Sequence, residues 1–238
     1  MAYETNDAFA ENFTEIGKQA PPRYLGIRFD MSGKFLPTRG NTIVSHVAEG
    51  SRTQAAIERV SRALAELPYG DRFAYTPVSS YHMTVFQGTI EGRRQQGFWP
   101  DGMASDTPIE ETTRLFLERL TNFPPAPPFR MKVASVTPLG LVLTGAGKDD
   151  EARIRKLRDD LAVPFGYRHP DHDSYTFHIT LAYPKAWLPG GAEAIYLPAL
   201  AALRDSLVEQ IAIAELDPPA FCEFSDMTEF RPLRFLGP

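Results

Sequence analysis

The sequence has 238 residues, 43% of them hydrophobic and 23% charged, which is enough to build a sizeable core and excludes a disordered chain. Its 25 basic and 30 acidic residues give a formal net charge of -5, which opposes long-range capture of duplex nucleic acid. Cys222 is the one cysteine, and no stretch resembles a secretion signal or a membrane span, so we expect a cytoplasmic protein with no membrane partner.

The N-terminal half is predicted to alternate short strands with helices. Residues 1–21 are polar with scattered aromatics and are expected to form a loose arm or a short docked helix. Two strands, a helix, a short strand, a strand containing His82 and a second helix should follow. Their expected ranges are 24–29, 42–47, 51–67, 73–76, 79–88 and 107–120.

The proline-rich stretch FPPAPPF at residues 123–129 predicts a stiff connector at the midpoint of one domain. A β-hairpin, a helix over about 149–161, a strand containing His178 and a helix from Pro198 to about Gln210 should follow. Late strands are predicted in IAIAEL, FCEF and PLRFL. The halves, about 22–122 and 129–238, therefore repeat one order of elements, which indicates a duplication.

Two β-like runs, SSYHMTVFQG at 79–88 and SYTFHITLAYP at 174–184, place a histidine two residues before a threonine. Side chains of a strand alternate between its faces, so His82 and Thr84 share one face, as do His178 and Thr180. The intervening residues are apolar and are expected to pack against the core. Each strand can therefore offer its polar face to a ligand.

If the two halves face each other, the two imidazoles can lie on either side of one phosphorus atom. One neutral histidine then removes a proton from water while the other, as imidazolium, protonates the leaving ribose oxygen. The threonine hydroxyls hold the non-bridging oxygens. This arrangement suits cleavage of a phosphodiester and requires no metal or other cofactor.

The tetrapeptides HMTV and HITL resemble the paired signatures of the two-histidine (2H) phosphoesterase superfamily, which includes cyclic nucleotide phosphodiesterases and RNA ligase-like 2',5' phosphodiesterases. The resemblance implies an α+β fold with two lobes, an antiparallel sheet with flanking helices in each lobe, and an active cleft between them. It also implies that His82 and His178 are the catalytic acid and base, and that Thr84 and Thr180 bind phosphate.

Further residues are candidates for substrate binding. Arg93 and Trp99 belong to a loop whose side chains are suited to binding phosphate and stacking on a base. Phe86 completes the polar face of the first motif strand. Tyr167 and Arg168 are expected on the other lip of the cleft.

Two other hypotheses concern the remaining histidines. His169 and His172, with Asp171 and Asp173, offer metal ligands, but Pro170 and the loop around it deny them a rigid frame, so no metal is predicted. His46 is predicted to be a hydrogen-bonded histidine of the core or the cleft wall.

The sequence therefore predicts a metal-independent phosphodiesterase that acts on a 2',3'-cyclic phosphate or a 2',5' phosphodiester of a nucleotide or short RNA end. The alternative is a binding module that holds the same ligand in the same cleft without turnover. The negative net charge favours small or terminal substrates over long duplex nucleic acid.

Overall fold

A computed structural model describes residues 5–237 of the protein. Five α-helices lie in this range: α1 (Asn6–Phe13), α2 (Arg52–Glu66), α3 (Ile109–Arg119), α4 (Lys148–Phe165) and α5 (Glu193–Gln210). The strands are β1 (Gly40–His46), β2 (Phe73–Tyr75), β3 (His82–Ile90), β4 (Met131–Thr137), β5 (Gly140–Gly145), β6 (Phe177–Thr180), β7 (Ala182–Pro184), β8 (Ala220–Phe224) and β9 (Arg231–Phe235). Among these helices, none has both the length and the apolar character needed to cross a membrane.

Seven strands form one sheet in the order β4-β5-β6-β3-β1-β8-β9, and every neighbouring pair is antiparallel. β2 and β7 form a separate antiparallel pair. The sheet is continuous because β3 and β6 meet at Met83 and Ile179. The predicted α+β fold with an antiparallel sheet is confirmed, whereas its division into two lobes stays a prediction.

Helix α2 forms where its polar cap and its apolar periodicity predict it. Ser51 caps α2, and its hydroxyl accepts a hydrogen bond from the Gln54 amide at 3.0 Å. Ile57, Val60 and Leu64 of this helix are buried, at the spacing of one helical face. Burial of this face holds α2 against the core and so fixes the chain that leads into β3.

The predicted strand over 24–29 is wrong. This segment forms turns, and its β-type pairing is limited to two isolated bridges, from Leu25 to Phe29 and from Phe29 to Phe35. Gly26 has a φ of +77°, which ends an extended chain, and Ile27 is exposed. The turns instead bring Phe29 onto the ring of Tyr183, with the ring centroids 5.4 Å apart.

Two predictions in the late chain need correction. IAIAEL, over 211–216, does not form a strand of the sheet and is joined to it only by isolated bridges. α5 begins at Glu193, so Pro198 lies inside this helix instead of starting it. FCEF and PLRFL form β8 and β9, as predicted.

The N-terminal arm is docked. Its helix α1 buries Phe9 and Phe13, and the Phe9 ring lies 5.8 Å from the ring of Tyr196 on α5. Residues 1–4 of the predicted arm lie outside the described residues. The short docked helix is therefore the correct one of the two forms expected for this arm.

The two histidine strands follow their helices at equal distances. His82 comes 31 residues after Ser51, the N-cap of α2, and His178 comes 31 residues after Gly147, the N-cap of α4, since 82 minus 51 and 178 minus 147 agree. The connector over 123–129 has no regular secondary structure. β8 and β9 nevertheless pair on the β1 side of the sheet, although they follow the connector.

Candidate active site

The two His-x-Thr motifs lie on neighbouring strands. β3 carries His82 and Thr84, β6 carries His178 and Thr180, and the strands pair at the middle residue of each motif. This antiparallel register places His82 across from Thr180 and Thr84 across from His178. Strand geometry then separates the two histidine Cα atoms by roughly 8 Å.

All four motif side chains line a single cavity of about 670 Å³. The alternate residues point to the opposite face of the sheet, where Met83, Val85, Ile179 and Leu181 are buried. The alternation of polar and apolar residues along both strands therefore produces one polar face that lines the cavity and one apolar face that packs against the core, as predicted. The cavity is large enough for a ligand the size of a nucleotide.

Both histidines use their own strand to fix the imidazole. His82 Nδ1 lies 2.7 Å from the Ser80 carbonyl oxygen, and His178 Nδ1 lies 2.9 Å from the Thr176 carbonyl oxygen. Because a carbonyl can only accept, Nδ1 donates in both rings. Within residues 5–237 neither Nε2 has a hydrogen-bond partner, so each neutral ring presents an unprotonated Nε2 to a ligand.

The surroundings of the two imidazoles differ. His82 is half-buried, and the Phe230 ring centroid lies 4.0 Å from its own. The pKa of His82 is lowered to about 3, chiefly by desolvation; the bond to Ser80 opposes this shift, and repulsion from His46 and His178 adds to it. His178 is exposed. His82 is therefore neutral near pH 7, in the state that accepts a proton.

His46 belongs to the wall behind this ring. It pairs with His82 across β1 and β3, and its Nε2 donates to the Phe230 carbonyl at 2.9 Å. Desolvation of the ring lowers the pKa of His46. This placement confirms the prediction of a hydrogen-bonded histidine near the cleft, and the His46 side chain itself does not line the cavity.

Tyr175 is a site residue that the sequence did not reveal. It lines the cavity and shares a hydrogen bond with Thr84. The Arg158 guanidinium lies 4.0 Å from the centre of the Tyr175 ring, and Arg158 itself is 1% exposed. Tyr175 therefore links one predicted phosphate ligand to a buried cation, and Arg158 positions it from behind.

A β-bulge changes which residues of β3 face the cavity. β1 pairs Ile43 with Phe86 but Val44 with Thr84, so Val85 is the extra residue. A bulge reverses the alternation beyond it, and Phe86 is fully buried while Gln87 lines the cavity. Phe86 is therefore corrected from a substrate contact to a core residue.

Side chains from elsewhere in the chain hold this bulge. Arg158 donates to the Val85 carbonyl at 2.6 Å, and the Tyr167 hydroxyl donates to the Gln87 carbonyl at 3.1 Å. His169 Nε2 reaches the same carbonyl at 2.8 Å. Tyr167 is 5% exposed and does not line the cavity, so it holds the strand instead of contacting a ligand.

Of the remaining predicted binders, one lines the cavity and two do not. Arg93 lines it and bonds to the side chain of Gln87. Trp99 is 4% exposed, and its indole N–H donates to the Ala104 carbonyl at 3.1 Å, so it packs its loop onto the core. Arg168 lies on the surface in ion pairs with Asp159 and Asp173.

The four residues considered as alternative metal ligands do not lie together in the structure. Among the described residues, Asp159, His172 and Asp173 bring ligand atoms within 4.8 Å of one another. Arg168 already pairs with both of these carboxylates. His169 instead bonds to the backbone of β3, and Asp171 lines the cavity. The geometry therefore brings the four predicted ligands to three different places.

Comparison with known proteins bears on the family. A family model described as "2H-phosphodiest: Domain of unknown function (DUF1868)" matches residues 28–142, a range that holds the first motif and ends before the second. The solved structure of a conserved protein of unknown function from Agrobacterium tumefaciens strain C58 is 42% identical in sequence. The similarity covers 94% of this chain and 96% of that chain, with a TM-score of 0.92. No curated protein matches the chain.

The family match and the meeting of the two motifs in one cavity agree with each other. The chain belongs to the two-histidine (2H) phosphoesterase superfamily.

Proposed function

We propose that the protein is a phosphodiesterase that hydrolyses a 2',3'-cyclic phosphate or a 2',5' phosphodiester on a nucleotide or short RNA end. The observation that carries the proposal is the pair of imidazoles, each fixed at Nδ1 by a backbone carbonyl, with Nε2 available in a shared cavity. Each imidazole also has a threonine of the other motif as its cross-strand neighbour.

The two histidines take different roles in this proposal. His82 is half-buried and neutral, so its Nε2 accepts the proton of the attacking water. The bound phosphodiester anion raises the basicity of this ring, because a negative charge stabilises imidazolium. His178 is exposed, and in its imidazolium form it donates a proton to the leaving ribose oxygen.

These two proton transfers balance the bonds that form and break at phosphorus. Water oxygen forms a bond to phosphorus, the bond from phosphorus to the leaving ribose oxygen breaks, and the products are a phosphomonoester and a free hydroxyl. Thr84 and Thr180 donate to the two non-bridging oxygens, whose charge grows as the water attacks. No metal ion or cofactor takes part in the proposed steps.

The site favours a small or terminal substrate. Its cavity of about 670 Å³ accommodates a nucleotide but not a long duplex, and the formal net charge of the chain is -5. The reacting group is therefore proposed to be a nucleotide or the last nucleotide of a short strand.

The test uses purified protein with 2',3'-cyclic mononucleotides and 2',5'-linked dinucleotides in the presence of EDTA. Turnover is expected to survive chelation and to fall by about 10² to 10⁴ in both His82→Ala and His178→Ala. His46→Asn is the matched control, because His46 neighbours His82 without lining the cavity, and it should lose less than about tenfold.

Three outcomes contradict the proposal. Tight nucleotide binding with no turnover identifies a binding module in the same cavity. Activity that EDTA abolishes and zinc restores identifies a metal mechanism. An equal loss in His46→Asn and His82→Ala shows that the histidines support the fold and not the chemistry.

A further inference from the structure

The cavity extends beyond the four motif side chains into a basic region. Arg23, Arg28 and Arg93 line it, and Asp171 is the one carboxylate among the described residues that line it. With the histidines neutral, three arginines and one aspartate give this wall a formal charge of +2, whereas the whole chain has -5. Positive charge is therefore concentrated at the site.

Two of these guanidinium groups are held in place by aromatic rings. Arg93 lies 3.9 Å from the centre of the Phe98 ring and bonds to the Gln87 side chain. Arg28 lies 4.0 Å from the centre of the Tyr24 ring. Stacking fixes the plane of a guanidinium and leaves N–H donors at its edge for an anion.

Among residues 5–237, the three arginines have no carboxylate partner in an ion pair. Within the described part of the chain, none of them forms an ion pair, although surface arginines such as Arg155 and Arg168 do. Burial lowers the pKa of Arg93; Tyr24 and Asp171 oppose this effect, and repulsion from Arg28 and Arg23 adds to it. A bound anion relieves this repulsion, since it satisfies several donors at once.

The distance along β3 sets the size of the ligand. The Arg93 guanidinium bonds to the side chain of Gln87, which lies three residues beyond Thr84 on β3. The rise of a strand places the Cα atoms of Thr84 and Gln87 about 10 Å apart or less. An anion on the arginines and a phosphodiester between the histidines are therefore one nucleoside apart. A ribose with a cyclic phosphate at its 2' and 3' oxygens has its 5' oxygen left to carry such an anion.

We propose that the substrate carries a second phosphate, on the 5' side of the reacting nucleoside, and that Arg93, Arg28 and Arg23 bind it. This inference rests on the proposed function, because the reacting phosphodiester lies between the two histidines. The second phosphate belongs either to a terminal 5'-phosphate or to the internucleotide linkage of an RNA end, and both present the same anionic oxygens.

The experiment compares three substrates in kcat/KM. They are adenosine 2',3'-cyclic phosphate with a free 5'-hydroxyl, the same nucleotide with a 5'-phosphate, and a diadenosine dinucleotide that ends in a 2',3'-cyclic phosphate. We expect one or both phosphate-bearing substrates to be preferred by about tenfold to a hundredfold, as charge-assisted hydrogen bonds to one phosphate predict. The preferred one identifies the source of the phosphate.

Arg93→Gln should reduce this preference to within about threefold, and Arg28→Gln, as a second variant, should reduce it in the same direction. Arg114→Gln is the matched control, because Arg114 is an exposed arginine of α3 that does not line the cavity. Far-UV circular dichroism checks that each variant is folded. Equal kcat/KM for all three substrates, or a preference that survives in both cavity variants, overturns the inference.

A binding measurement separates this inference from the proposed function. If no substrate is turned over, the proposed function fails, and calorimetry with adenosine 2'-phosphate and adenosine 2',5'-bisphosphate still tests the arginines. At least tenfold tighter binding of the bisphosphate to the wild type, lost in Arg93→Gln, supports the second-phosphate site. Equal affinities overturn it.

Discussion

At the scale of single residues, the site depends on a bond that each histidine makes to its own strand. The Nδ1–H of His82 and that of His178 both reach the carbonyl two residues earlier. This bond selects one tautomer and one ring orientation without help from a carboxylate. The two imidazoles therefore share this bond and differ in their surroundings, and their proposed roles follow from that difference.

This difference predicts the pH dependence of turnover. Protonated His82 cannot accept a proton, so activity is lost as the pH falls through its pKa, which desolvation of the half-buried ring lowers to about 3 in the free protein. The acid limb of kcat/KM, which reports the free protein, should lie below the ordinary imidazole value of about 6.5. The acid limb of kcat should lie at higher pH, because the bound anion stabilises the imidazolium.

Initial rates between pH 4 and 9, at saturating and at low substrate, show whether the acid limb of each parameter falls within this range. Thr121→Val, on the exposed surface of the protein, should reproduce both limbs of the wild type. An acid limb of kcat/KM at or above pH 6.5 contradicts the assignment of His82 as the proton acceptor.

At the scale of elements, β3 shows where sequence reasoning succeeds and where it stops. Alternation correctly assigns His82 and Thr84 to one face, because two residues of a strand need no tertiary information. It fails at Phe86, because the bulge at Val85 depends on the register with β1. Donors from α4 and from the loop after it hold the bulge, and no local pattern reveals such distant partners.

The bulge also predicts a cost for removing one of these donors. Arg158 is buried on α4 and donates to the Val85 carbonyl. Arg158→Met preserves the apolar stem but leaves this carbonyl without its donor, which should lower the free energy of unfolding by about 1–3 kcal/mol. Urea unfolding followed by circular dichroism measures the change.

Arg153→Met provides the control on the same helix. Arg153 is exposed, and its guanidinium lies 3.5 Å from the Pro128 carbonyl, so its loss should change stability by less than about 0.5 kcal/mol. Equal destabilisation by the two substitutions would show that the donor to β3 is not what Arg158 contributes.

At the scale of the whole molecule, the sequence predicted the meeting of the two motifs but not the sheet that brings them together. The repeated order of elements and the paired motifs were sufficient to place His82 beside His178. The pairing of β1 with β8 was not predictable, because it joins residues such as Thr42 and Cys222 that lie far apart in the chain. The turns over 24–29, which carry Arg28 into the cavity, were missed for a local reason, because the positive φ of Gly26 interrupts a run with the composition of a strand.

Buried imidazoles make the stability of the whole fold depend on pH. His169 is 5% exposed, and burial lowers its pKa to about 4, while its bond to Gln87 opposes this effect. The unfolded chain, with a pKa near 6.5, therefore binds a proton that the folded protein does not bind between about pH 6.5 and 4. Stability is complete above pH 6.5 and is lost as the pH falls, by about 3 kcal/mol from this residue.

His169→Gln tests this prediction, because a glutamine amide can still donate to the Gln87 carbonyl but does not titrate. Between pH 7.5 and 5 the variant should lose about 2 kcal/mol less unfolding free energy than the wild type, measured by urea denaturation. Tyr167→Phe is the control: it removes the other donor to the same carbonyl, so it should lower stability equally at both pH values. If His169→Gln keeps the full pH dependence of the wild type, the buried imidazole of His169 is not its source.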